Sequence, residues 1–261
     1  MLSKLIKHEF KATARLLLPL YLILFVLTIV ERIVLSFDLK GSLGVILGFA
    51  TFAYVVSIFA IAVVSFVIII LRFYKNLITD EGYLMFTLPV KPQQLINSKL
   101  LVSFVWNIVS ILLILVSLFG VFITKDRFDL LTDGFRMIIT EMQKEFGTFK
   151  LTLLIIEFII LMILGLINNI LILFVSIAVG QLFNGHKVLG SIIAYIGIST
   201  VLQIIVTIVF LILGVVFHTT FEEPLAVPQI ILPITIAFTL VTNALYYIGT
   251  DVIFKKKLNL E

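Results

Sequence analysis

Six long apolar runs constrain this chain more than any other feature. They occupy residues 16–37, 43–71, 100–123, 151–183, 188–217 and 228–248. A bilayer core of about 30 Å is crossed by about 20 helical residues, so each run is long enough for one span. Three exceed that length by many residues, which predicts tilt, extension beyond the bilayer or local breaks. Composition agrees: 61% of the 261 residues are hydrophobic and 13% charged, with mean hydropathy +1.25. Soluble domains are nearer half apolar and a quarter charged. The expected fold is an all-α integral membrane protein, with residues 1–261 forming a single transmembrane domain of six helices.

Several functions are set aside by what the chain carries. It has no cysteine, which removes disulfides, thiolate metal sites and cysteine nucleophiles. His8, His186 and His218 are far apart in sequence, which argues against a histidine metal cluster. The net charge of +4 comes from basic residues that flank apolar runs instead of clustering on a soluble surface, so nucleic acid is not an expected partner. Gly180-Gln-Leu-Phe-Asn-Gly185-His-Lys187 has phosphate-loop glycine spacing but lacks Gly-Lys-Ser/Thr and follows a span, not a strand. Glu222-Glu223 has neither a nearby arginine nor a histidine pair to support protease chemistry. The expectation is a non-catalytic chain with no cofactor or metal of its own.

Orientation is read from Lys and Arg in the flanks. One side would hold residues 1–15, the 72–99 loop, the turn at 184–187 and the tail from Lys255, with twelve basic residues; the other holds seven, five of them in a loop with five acidic residues. Both termini and the 72–99 loop are therefore expected in the cytoplasm. Lys4, Lys7, Lys11 and Arg15 precede the first apolar run as in a signal peptide, but the run ends in Glu31-Arg32 without a small-x-small cleavage site, which reads as a retained anchor. Pro19 and Pro233 are placed near span starts, where a missing N–H costs little. A break is expected near Gly214. Gly44-x-x-x-Gly48 and Gly190-x-x-x-Ala194 are read as close helix contacts.

Two segments outside the spans are amphipathic. Residues 1–15 set Leu2, Leu5, Ile6, Phe10 and Thr13 at helical spacing among basic residues, which predicts an interfacial helix or a simple positive anchor. In the 124–150 loop, Phe128, Leu131, Phe135, Ile138, Met142, Phe146 and Phe149 step by three or four, and Gly147 is placed to end the helix. That predicts an extracellular helix resting on the bilayer or capping the bundle. Within the spans, Glu157, Asn168, Asn169 and Gln203 are polar; they either line a translocation path or make interhelical hydrogen bonds.

The segment Tyr74–Lys99 is too polar for lipid and too apolar for a flexible linker. Asp80-Glu81-Gly82-Tyr83-Leu84-Met85-Phe86-Thr87-Leu88-Pro89 combines aromatic and aliphatic anchors with two carboxylates. Such a segment suits docking into a partner's groove, or else packs on its own bundle. This run, with Lys4-Leu-Ile-Lys-His-Glu-Phe-Lys11 and the six-span layout, resembles the membrane subunits of bacterial two-component ATP-binding-cassette exporters. The chain is similar in particular to permeases of the phenol-soluble modulin and peptide-antibiotic immunity type. The resemblance implies a cytoplasmic coupling helix that docks on a separate ATPase subunit. Tyr74, Lys75, Asp80, Glu81, Gly82, Tyr83, Met85, Phe86, Leu88 and Pro89 would form that coupling region, with ATP and Mg bound in the partner. It also implies a second membrane subunit, as in a homodimer, a place in the bacterial plasma membrane, and export of an amphipathic peptide or lipophilic cargo. Two other classes stay open: an ATP-independent secondary transporter or channel using Glu157, and a membrane scaffold or sensor.

Overall fold

The computed structural model describes residues 2–37, 44–78, 91–183, 186–220 and 226–256. Asp80, Glu81, Gly82, Tyr83, Met85, Phe86, Leu88 and Pro89 lie outside the described residues. All regular structure among the described residues is helical: α1 (Leu2–Ser36), α2 (Gly44–Ile78), α3 (Pro92–Phe122), α4 (Lys125–Gly180), α5 (Lys187–Thr220) and α6 (Ala226–Lys256). Each holds all or most of one of the six apolar runs, and each is long and apolar enough to cross a membrane.

Four details differ from the expectations. The surface helix at 1–15 and the span after it are one unbroken helix, α1, with Pro19 in its middle. No glycine or proline stands at the 15/16 junction to interrupt it, and a proline inside a span is tolerated when neighbouring groups satisfy the freed carbonyl. Pro233 likewise lies inside α6 rather than at its start. Gly214 does not break α5, which continues to Thr220. Gly48 faces open space and Gly190 meets Phe183 of the connection just before its own helix, so neither makes the contact between spans that its spacing suggests.

Gly147 behaves as its position predicts. It sits within α4 at φ 74°, ψ 156°, a backbone conformation that glycine adopts readily and other residues resist. It divides α4 into a charged segment, 125–146, and an apolar one, 148–180.

The chain forms two compact units. Unit 1 comprises residues 1–73 and 97–134; unit 2 comprises 74–96 and 135–261. In unit 1, α1 and α3 run parallel. Tyr21 meets Ser110, Thr28 meets Ser117 and Arg32 meets the Val121 carbonyl, each at a sequence offset of 89. Helix α2 runs the other way, since Thr51 meets Glu31 while Ser65 meets Ser110. Buried positions recur at steps of three, four or seven residues on all three helices: Thr13, Leu17, Tyr21 and Leu24 on α1; Tyr54, Ser57, Ile61, Ser65 and Ile68 on α2; Ser103, Trp106, Ser110 and Ser117 on α3. That spacing is the seam of helices packed at a shallow angle.

Unit 2 repeats the plan with different chemistry. Asn168 of α4 bonds to Thr242 and Asn243 of α6, and farther along Gly249 approaches Val175, so α4 and α6 are also parallel. Ser191 of α5 closes on Gly180, where an added Cβ would lie 2.5 Å from the Ser191 backbone nitrogen. No residue of α5 between 191 and 214 is buried.

Candidate functional site

A cluster of charge lies at one end of unit 1. Lys99 Nζ donates to Glu9 Oε1 at 2.6 Å, and Arg72 Nε lies 3.5 Å from Glu9 Oε2. Three helices supply these groups: Glu9 comes from the first third of α1, Arg72 from the end of α2, and Lys99 from the start of α3. Lys99 is 4% exposed and Glu9 8%, so both are withdrawn from water. The Thr13 hydroxyl donates to the Glu9 carbonyl at 2.8 Å, and Phe10 stacks on Trp106 with ring centroids 4.7 Å apart. These contacts turn the first third of α1 inward against α3.

The topology explains why these residues meet. Parallel α1 and α3, with α2 antiparallel between them in sequence, bring the start of α1, the end of α2 and the start of α3 to one end of the unit. The 79–90 connection joins two of those three helix ends. Removing one partner of a buried ion pair costs about 3–5 kcal/mol where it leaves a charge uncompensated. In unit 2 the start of α3 has its own tie, as Gln93 Nε2 donates to Asp251 Oδ2 at 3.1 Å and Lys255 Nζ donates to the same oxygen at 2.6 Å.

From the cluster, a seam of hydroxyls runs along unit 1. Ser110 bonds to Tyr21 at 2.7 Å and to Ser65 at 3.1 Å. One heptad on, Ser117 bonds to Thr28 at 2.7 Å and to Tyr54 at 2.8 Å. At the far end Glu31, 1% exposed, takes a hydrogen bond from Thr51 at 2.8 Å, while its Oε2 is buried without a hydrogen-bond partner. Arg32 beside it donates to the Val121 carbonyl at the end of α3, where a cation is favoured by the helix dipole.

The positions singled out from sequence are dispersed. Tyr74 is half-buried and Lys75 exposed in the last turns of α2, close in sequence to Arg72. Glu157 is half-buried, with Oε2 lacking a hydrogen bond. Asn168 is engaged in interhelical bonds to Thr242 and Asn243, whose own amide donates to the Leu164 carbonyl. Asn169 is exposed and bonds back to the Gly165 carbonyl. Gln203 is exposed on α5. Among the described residues no hydrogen bond joins any two of Glu157, Asn168, Asn169 and Gln203, and no group of three or more His, Cys, Asp or Glu is placed to hold a metal.

From sequence, Arg72 and Lys99 were read only as flanking charges, Glu31 as the end of an apolar run, and Glu9 as part of the Lys4–Lys11 run that carries the resemblance. The seven-residue spacing of Ser103, Ser110 and Ser117 was the available signal for a polar seam, since positions seven apart share a helix face. No family model, curated protein or solved structure matches the chain.

Proposed function

We propose that this chain is the membrane-spanning subunit of a bacterial ATP-binding-cassette exporter, moving amphipathic or lipophilic cargo, most simply a peptide, out of the cell. A separate subunit would bind and hydrolyse ATP, and a second membrane subunit, identical in a homodimer, would complete the translocation path. Both termini and the 79–90 connection would then face the cytoplasm. The observation that carries this reading is the buried Glu9–Lys99–Arg72 cluster. A connection that receives force from a motor needs its two flanking helices fixed to the rest of the membrane unit, and Glu9 bridges both of them. A push on 79–90 would move α1, α2 and α3 as one body. This is what rigid-body switching between two packings requires.

Affinity capture of the tagged chain from its native membrane tests the reading. A co-purifying ATPase subunit is expected, and cargo-stimulated ATP hydrolysis should fall when Glu81→Ala or Gly82→Pro is introduced. Capture without any ATPase would overturn the reading. A second reading, a cation-coupled secondary transporter, is favoured only by the unsatisfied carboxylate oxygen of Glu157. Flux through the purified chain alone in liposomes, driven by a pH gradient and lost in Glu157→Gln, would select it.

A further inference from the structure

We infer that the 125–146 segment of α4 is a membrane-surface helix whose apolar stripe is seated among lipid headgroups and the first acyl carbons. The stripe is made by Phe128, Leu131, Phe135 and Ile138. All four are exposed, Phe135 at 71% and Ile138 at 59%.

The occupant follows from how the segment is tethered. Helix α3 ends at Phe122, two residues before α4 begins, and the apolar part of α4 begins just after Gly147. Both ends of the segment thus join helices that cross the membrane, at the same face of it. A helix of 22 residues is about 33 Å long, and tethering at both ends to helices that cross the membrane keeps it near that surface. It cannot itself cross, because it carries nine charged residues, four basic and five acidic. Lipid surrounds both flanking spans, so it is the occupant nearest the stripe.

Phe119 and Phe122 at the end of α3 and Phe149 and Leu153 at the start of the apolar part of α4 are exposed large side chains on helices that cross lipid. On the segment itself the charges lie mainly away from the stripe, as in helices that float at the headgroup boundary. Its near-balanced charge removes any need for anionic lipid, so zwitterionic lipid is sufficient.

The absence of cysteine makes the test direct. Single substitutions Phe135→Cys and Ile138→Cys on the stripe, and Asp133→Cys and Thr140→Cys on the opposite side, are labelled with an environment-sensitive fluorophore in the full chain. The labelled protein is reconstituted in phosphatidylcholine vesicles. Labels at 135 and 138 are expected to be quenched severalfold more by spin-labelled lipid than by an aqueous quencher, with the reverse at 133 and 140. Equal aqueous quenching at all four positions would overturn the inference. So would protection of 135 and 138 from both quenchers. Disulfide cross-linking between copies of unlabelled Phe135→Cys would assign the stripe to a second copy instead. None of these outcomes depends on whether an ATPase binds.

Discussion

In unit 1 every helix brings hydroxyls to a shared seam, with Ser110 joining Tyr21 and Ser65, Ser117 joining Thr28 and Tyr54, and carboxylates buried towards both ends. Among the described residues, unit 2 has an interhelical amide knot around Asn168 and Asn243, the Gln93–Asp251 tie and a tight backbone approach at Gly180 and Ser191. Its helix α5 buries nothing between residues 191 and 214. The two units share a parallel first and third helix, yet solve the packing problem differently. In lipid the hydrophobic effect does not hold helices together, so small residues and hydrogen bonds must. Unit 1 relies on directional bonds, which select one register among many that apolar side chains alone would allow. Unit 2 relies more on shape, which leaves α5 with few ties that fix its rotation.

The largest test of this contrast is the charge cluster. Lys99→Ala is expected to destabilise the protein by up to about 3 kcal/mol, the low end of the cost of breaking a buried pair, because Arg72 still faces Glu9; the readout is a lowered unfolding midpoint in detergent micelles. The exchange Glu9→Lys with Lys99→Glu should recover part of that loss. If Lys99→Ala leaves the midpoint unchanged, unit 1 is not held as described.

In unit 2 the equivalent weak point is steric. Gly180→Ala would drive a methyl group into Ser191, and overpacking of this kind costs about 1–3 kcal/mol. The same assay should place it second. Individual seam bonds come next. Ser110→Ala removes two partners at once, and buried interhelical bonds of this type are worth about 0.6 kcal/mol on average and about 1.7 at most. Thermal unfolding that fell by much more would mean the seam is cooperative. The smallest effect is of opposite sign: Gly48→Ala meets open space and should stabilise α2 by up to about 1 kcal/mol, the helix-propensity difference. Destabilisation there would reveal a neighbour for Gly48, and with it a close contact at the Gly44-x-x-x-Gly48 pattern.

The helices were legible because apolar length alone specifies a span; each run falls largely within one helix. Gly147 was legible for a related reason, since an amphipathic pattern ends there and glycine tolerates the turn. The burial of Glu9 was not. Its neighbours Lys4, Lys7 and Lys11 give residues 1–15 the charge pattern of a surface helix, and only the inward turn against Lys99 reveals that one carboxylate faces protein. Glu31 was read as the end of an apolar run because sequence carries no sign of which helix will cover it. Gly48 and Gly180 make the same point from the other side: a glycine pattern cannot say whether a second helix is near, and the close approach occurs at the glycine dismissed as part of a false phosphate loop. Tyr74 and Lys75 are placed at the end of α2, while the rest of the coupling signature lies outside the described residues.

The constant offset of 89 between α1 and α3 restricts how this chain can change length over time. One residue inserted within either helix turns everything beyond it by about 100° and moves it about 1.5 Å, so every seam pair past that point is lost together. An insertion of seven nearly restores the facing side. Length variation among descendants of this sequence should therefore collect in the connections, with the interiors of α1 and α3 gaining or losing residues only in sevens.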